Sequence, residues 1–212
     1  MRSLVRTEDA HNMYPPIETL HERQARHAID ARVVFGFWIY IMTDCLLFAS
    51  LFAVYAVMHG NTFGGPGGAE LFSLPFVLLE TFGLLTSSFT AGLGILFAHK
   101  GMKREVLIWF GITLLLGISF IGMELTEFTR MAMEGNDWSK SGFLSSFFTL
   151  VGTHGLHVFS GCLWILILLY QIMTKGLTTT NLRRLSCFAL FWHFLDIIWI
   201  FIFTFVYLLS GI

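Results

Sequence analysis

Eight ionisable side chains stand inside stretches so apolar and so long that only a lipid bilayer accommodates them: Asp44, Glu80, Glu124, Glu127, His154, His157, His193 and Asp196. A charge at the centre of a membrane helix costs roughly 2.5 to 3.5 kcal/mol even on lenient insertion scales, so each group is expected to face protein rather than hydrocarbon. Six of them form pairs three residues apart, Glu124-x-x-Glu127, His154-x-x-His157 and His193-x-x-Asp196. Positions three apart are neighbours on a helix surface, so each pair shares one face.

Crossing a hydrocarbon core takes about 20 apolar residues of helix. The chain supplies such a run five times, over about 33–58, 74–98, 106–131, 143–173 and 185–209, which predicts an all-α, polytopic membrane protein built as a five-transmembrane-helix bundle. Composition agrees: of 212 residues, 55% are hydrophobic and 13% charged, against about 25% charged in soluble domains. A net charge of -1 leaves no concentrated basic surface of the kind that phosphate backbones need, which argues against nucleic acid as a partner. Cys45, Cys162 and Cys187 each fall in an apolar run with no C-x-x-C pair, and read as small buried side chains rather than a disulfide framework or zinc site. Residues 1–31 mix acidic, basic and His residues with Pro15-Pro16 and contain no apolar h-region. They are expected to be a disordered or surface-lying tail, not a cleavable signal peptide, ahead of a membrane domain at 32–212. The string HGNTFGGPGGAE at 59–70 lacks both the Lys-Ser/Thr and the preceding strand of a phosphate loop, and reads as an external connection.

Basic residues sort by side. Eleven of the 13 fall in the tail through Arg32 and in the connections at 99–105 and 174–184, leaving only Arg130 and Lys140 opposite. The positive-inside rule then puts the N-terminus in the cytoplasm and, after five crossings, the C-terminus in the periplasm. Trp38, Trp109 and Trp138 sit near predicted span ends, as interfacial anchors do, whereas Trp164, Trp192 and Trp199 lie deeper and read as packing residues. Gly83, Ser87 and Ala91, spaced by four on the second span, read as a close-packing stripe.

At about 1.5 Å per residue, Asp44 and Asp196 fall near the midplane, Glu80, Glu124 and Glu127 fall in the outer half, and His154 and His157 reach the middle from outside. Matched depth predicts hydrogen bonds between the His193/Asp196 pair and the His154/His157 pair, or to Glu127. Residue types alone leave several readings open. A di-metal carboxylate bundle would need Glu-x-x-His on two helices and further Glu on two others, which these pairs do not reproduce. A haem bundle needs facing axial His, and His154 or His157 opposite His193 has the right side chains. Buried hydrogen bonds that fix helix register, and a proton relay of Asp, Glu and His, are the others. No spacing yields a nucleophile with a positioned base.

Four longer strings carry a resemblance. LVGTHGLHVFSGCLW at 150–164 and FWHFLDIIWIFIFTFVYLLSG at 191–211 resemble hallmark segments of subunit III of the haem-copper respiratory oxidases. FGFWIYIMTDCLLFASLFAVY at 35–55 is similar to that family's carboxylate-bearing helix, and FIGMELTEF at 120–128 to its Glu-bearing segment. Together they span about 33–212. Long members have seven helices, and this chain begins at what would be their third. With PFVLLETFGLLTSS at 75–88 and GLTTTN at 176–181, it most resembles the five-helix subunit III of the bacterial cytochrome o ubiquinol oxidase branch. Where many relatives have Glu, this chain has Asp44, one methylene shorter.

The resemblance implies a non-catalytic accessory subunit, with no cofactor or metal of its own, in the bacterial cytoplasmic membrane. It implies direct packing on subunit I, which would carry haems and copper, with subunits II and IV in the same complex. Phospholipid binding and support of proton uptake and of the catalytic subunit are the implied contributions. The eight buried polar residues then become structural or proton-related. Rival readings are subunit III of a cytochrome c oxidase, an accessory protein of nitric oxide reductase, and an independent proton-coupled transporter. The last would show symmetry between halves, and none is visible.

Overall fold

In a computed structural model, residues 20–65 and 67–209 are described, with all their side chains except those of 20–30, 69 and 70. Five long helices follow one another: α1 (Leu20–Met58), α2 (Leu74–His99), α3 (Lys103–Met133), α4 (Gly142–Lys175) and α5 (Thr179–Ile202), the last continued by a π-helical turn, Phe203–Leu208. A four-residue turn, Gly68–Leu71, lies between α1 and α2. No strand occurs among the described residues. Each long helix contains a segment long and apolar enough to cross a membrane, Ala31–Met58, Leu74–His99, Lys103–Met133, Gly142–Lys175 and Thr179–Leu208. The chain is therefore an all-α, five-helix membrane protein.

Where α4 and α5 overrun the apolar stretches, their ends are chemically capped. The α5 helix starts at Thr179, ahead of the expected 185, because the Thr178 hydroxyl accepts from the Asn181 N–H at 3.2 Å and the Asn181 amide donates to the Gly176 carbonyl at 2.8 Å. The first bond satisfies a backbone donor that an uncapped helix start leaves orphaned, and the second ties the first turn of α5 to Gly176. Gly176, at φ 73°, ends α4 in a backbone conformation that favours glycine. Lys103 donates to the Met173 carbonyl at 3.0 Å, placing a cation on the last turn of α4. At its N-terminal end α1 enters the expected tail: residues 20–31 are helical, since LHERQARHAIDA contains neither Pro nor Gly and many good helix formers. The rest of the tail expectation, residues 1–19, lies outside the described residues.

The chain divides into two compact units, Met1–Ile39 and Tyr40–Ile212. In the first, the described part is helix, and its side chains from Val33 to Phe35 are exposed. In the second, α2 packs on α3, α3 on α4, α4 on α5 and α5 back on α2, closing a four-helix ring. The remainder of α1 leans against α4 and α5 through large rings: Phe48 meets His157 at 5.2 Å and Phe194 at 6.5 Å, and Phe52 meets Phe201 and Phe205.

Between membrane helices there is little hydrophobic gain, because lipid is as apolar as the core, so close packing and polar contacts hold the ring. Trp192, Trp199, Phe120, Phe188 and Tyr207 fill its interior. Phe120 meets Trp199 edge to face at 4.7 Å, an arrangement that contributes about 0.5 to 1.5 kcal/mol. Glycines make room for these rings. A Cβ on Gly117 would lie 2.8 Å from the Trp192 ring and 2.9 Å from Cys162 Sγ, and one on Gly161 would lie 2.8 Å from the same ring. Of the predicted small-residue stripe, Ser87 and Ala91 are fully buried, but Gly83 meets nothing within 4 Å and points away from the ring. Cys162 and Cys187 are buried free thiols and Cys45 is partly so.

Candidate functional site

The polar residues inside the ring form two layers. In the half nearer the α2–α3 connection, Thr113 Oγ1 and Thr90 Oγ1 are 2.8 Å apart, Thr90 donates to the Ser87 carbonyl at 2.8 Å, and the Trp192 indole N–H donates to Ser87 Oγ at 3.0 Å. Trp199 repeats the device one level on, donating to Thr81 Oγ1 at 3.0 Å. Every one of these groups is neutral and partnered within the chain. A buried hydroxyl or indole N–H then avoids the roughly 1 to 3 kcal/mol of an unmade bond.

The half nearer the α3–α4 connection differs. Glu80 from α2 and Glu124 and Glu127 from α3 are all buried, at 0%, 4% and 2% exposure. They gather with Tyr207, whose hydroxyl donates to Glu127 Oε2 at 3.4 Å. The π-helical turn brings Val206 and Tyr207 into the core, since a widened turn changes which side chains face inward. Arg130 Nη2 stands 4.0 Å from Glu127 Oε1 and donates to the Leu71 carbonyl at 3.1 Å, tying the layer to the short helical turn. Neither oxygen of Glu80 has a hydrogen-bond partner among the described residues, nor do Oε1 of Glu124 and Oε1 of Glu127. Glu124 fits because residue 155 is glycine: a Cβ there would sit 2.5 Å from its carboxyl oxygen.

His154 lies above this layer, wholly buried, stacked 5.2 Å from Trp199 and edge-on to Phe120 at 5.9 Å, with neither ring nitrogen hydrogen-bonded among the described residues. The expected bond from His154 to His193, Asp196 or Glu127 does not form, because aromatic rings occupy the space between. His157, three residues on, lies at the edge of this packing. Its Nδ1 is 2.7 Å from the Thr153 carbonyl and its Nε2 is 3.7 Å from Asp44 Oδ2, bringing together two residues that the sequence placed at one depth.

His193 and Asp196 face α2 instead of α4. His193 Nδ1 is 2.6 Å from Ser88 Oγ, and the same hydroxyl reaches the Asp196 carboxyl, while Asp196 Oδ1 has no hydrogen-bond partner among the described residues. The predicted pairing across α4 and α5 is thus corrected. A residue three apart shares a face, but which neighbour that face meets depends on the ring order, and α5 sits between α2 and α4 with Phe191 and Phe194 turned towards α1. Ser88, Thr81, Tyr207 and Arg130 were missed as site residues. Tyr207 could be found only by allowing the turn to widen, and the hydroxyls carry no signal in a run of Ser and Thr. Among the described residues, no three His, Cys, Asp or Glu side chains converge as a metal-ligand set.

Beside these layers, Ala49, Ala53 and Ala56 of α1 and Phe201 and Phe205 of the C-terminal segment line an apolar groove of about 610 Å³. The small α1 side chains leave this space unfilled.

Comparison with known proteins gives a consistent result. Residues 17–211 match the family described as cytochrome c oxidase subunit III. A protein of Pseudomonas aeruginosa named cytochrome bo(3) ubiquinol oxidase subunit 3 is 55% identical over 92% of this chain and 93% of its own length. One of the same name from Pseudomonas putida is 53% identical over 87% and 89%. A cytochrome c oxidase subunit 3 of Bacillus sp. strain PS3 is 45% identical over 82% and 84%. With the match running through nearly all of its length, this chain belongs to the cytochrome c oxidase subunit III family.

Proposed function

We propose that this chain is subunit III of a proton-pumping quinol oxidase that reduces oxygen to water, an accessory subunit that carries no redox centre itself. The identity of 55% and 53% to proteins named as subunit 3 of cytochrome bo(3) ubiquinol oxidase, each matched almost end to end, carries the reading. The cytochrome c oxidase reading rests on the Bacillus relative at 45% and is second to it. On this reading the haems and copper sit in subunit I, against which this chain packs, with subunits II and IV in the same assembly. The groove beside α1 suits an acyl chain of a bound phospholipid, being lined mostly by Ala and Phe.

The eight polar residues, six of them buried and His157 and His193 partly so, serve as structural or proton-related groups. Asp44 and His157 join α1 to α4, His193 and Asp196 join α5 to α2 through Ser88, and Glu80, Glu124, Glu127 and His154 occupy the ring interior. The protein crosses the bacterial inner membrane with residues 1–31 in the cytoplasm, 32–212 forming the membrane domain and the C-terminus in the periplasm. The distribution of eleven basic residues against two supports that orientation. A cysteine replacing Asn61 should react with an impermeant thiol reagent added from the periplasmic side, and one replacing Thr178 should not; the reverse pattern would invert the topology.

The functional test is purification through a tag on this chain in mild detergent, followed by identification of its companions and by oxygen uptake with ubiquinol or with reduced cytochrome c. The expected result is a haem-bearing catalytic subunit in stoichiometric yield and uptake driven by ubiquinol. Uptake driven by cytochrome c alone would favour the second reading, and companions without haem would refute both.

A further inference from the structure

We infer that Arg130 is a lid over the carboxyl layer: displaced, it admits water and protons to Glu127, and through it to Glu124 and Glu80, from the aqueous face beside the α1–α2 and α3–α4 connections. On the orientation proposed above that face is the periplasmic one, and the inference rests on that reading for the side alone.

The layer lies close to one end of the bundle. Glu127 is six residues from the end of α3 at Met133, about 9 Å along the axis. Asp44 and Asp196, by contrast, lie at least twelve residues from either end of their spans. At the Glu127 end, Ser73, Phe76, Thr126, Glu127 and Arg130 line a half-open cavity of about 170 Å³. Water needs polar partners as well as room, and the two hydroxyls and the guanidinium supply them.

From that cavity inwards the change is abrupt. The Arg130 side chain is 46% exposed and that of Glu127 1%. Glu127 Oε1 is wholly covered, and of the cavity's lining side chains Arg130 is the long, half-exposed one, with Nη2 4.0 Å from that oxygen. Such a distance is too long for a hydrogen bond. The guanidinium donates instead to the Leu71 carbonyl at 3.1 Å, on the short turn between α1 and α2. Arg130 is thus latched to a connection rather than to the carboxyl it covers, and releasing the latch uncovers Oε1 while the Tyr207 bond to Oε2 stays in place. Behind Glu127, both oxygens of Glu80 and Oε1 of Glu124 are buried without a hydrogen-bond partner among the described residues, so an entering proton or water finds acceptors. Further passage is closed by the rings of His154, Trp199 and Phe120. A guanidinium in the entrance also repels an arriving cation, the barrier by which an Arg excludes protons from a membrane pore.

The test is carboxyl labelling of the whole complex in sealed membranes, right side out or inverted, with a water-soluble cationic carbodiimide and a biotinylated amine, read by peptide mass spectrometry. The expected result, with reagent on the periplasmic side, is slow labelling of Glu127 in the parent and labelling roughly tenfold or more faster in Arg130→Ala, the range over which local charge changes the arrival rate of an ion. Arg130→Lys should fall between them, because it keeps the charge and loses the planar fork. Equal rates in the parent and Arg130→Ala would overturn the lid, as would labelling of Glu80 or Glu124 ahead of Glu127. If Arg130→Ala also opens the Cys162 thiol, 6% exposed in the parent, to a maleimide, the variant has come apart and the comparison of the parent with Arg130→Lys decides, equal rates again overturning the lid. Arg130-dependent labelling confined to inverted membranes would support the lid and overturn the proposed orientation instead.

Discussion

The two polar layers inside one ring of helices solve the burial of polar groups in opposite ways. Around Trp192 the groups are hydroxyls and an indole N–H, each with a partner on a neighbouring helix at 2.8 to 3.0 Å. Around Glu124 three carboxyls and a phenol converge, and four carboxyl oxygens have no hydrogen-bond partner among the described residues. The first layer needs nothing beyond the chain and reads as a register lock between α2, α3 and α5. The second is unsatisfied at rest, which makes it the part of the interior where water or proton occupancy alters the energy most.

The comparison breaks most readily at its glycines. Gly117→Ala drives a methyl against the Trp192 ring and the Cys162 sulfur, both enclosed, and is expected to destabilise the subunit by about 1 to 3 kcal/mol, as overpacking of a filled core does. Gly155→Ala presses instead on the end of the Glu124 side chain, which can bend aside, so its effect should be smaller. Glu124→Ala should rescue Gly155→Ala and leave Gly117→Ala uncorrected. Thermal denaturation of the detergent-solubilised subunit reads both, and equal rescue of the two would show that the layers are not independent.

Neutral replacement sharpens the contrast further. Thr113→Val removes a partnered hydroxyl and should cost about 1 kcal/mol. Glu80→Gln removes no hydrogen bond, since neither carboxyl oxygen makes one, and should stay within about 1 kcal/mol of the parent. A loss greater than that of Thr113→Val would mean that Glu80 has a partner the chain does not supply. Asp44→Asn should have the smallest effect, because 3.7 Å to His157 is beyond hydrogen-bonding distance and Asn keeps the shape.

Much of this was legible in the sequence. Hydropathy and length alone predict five helices, and the cost of buried charge marks Glu80, Glu124 and Glu127 as inward-facing, which they are. Depth put Asp44 and His157 alike near the midplane, but their approach to 3.7 Å was not among the expected pairings. Ring order was not legible, because a run of apolar residues does not say which helix it touches. His193 and Asp196 are accordingly expected to pair with α4 or with Glu127 of α3, when they meet α2. Helix ends were underestimated at α5, where the cap lies in a polar string that hydropathy excludes. The role of Gly155 in THGLH was also hidden, since it is read from Glu124 on another helix.

The central claim is that this chain supports an oxidase without taking part in its chemistry. Oxygen consumption by the purified complex, followed from the first turnovers to exhaustion with and without this chain and with Asp44→Asn in its place, tests that most directly. The account predicts nearly unchanged initial rates in all three and, in the complex lacking the chain, a shortened working life or slowed proton uptake. Loss of the first turnovers in Asp44→Asn, with haem content and assembly intact, would place the chain in the chemistry itself, and identical behaviour with and without the chain throughout would deny it any supporting role.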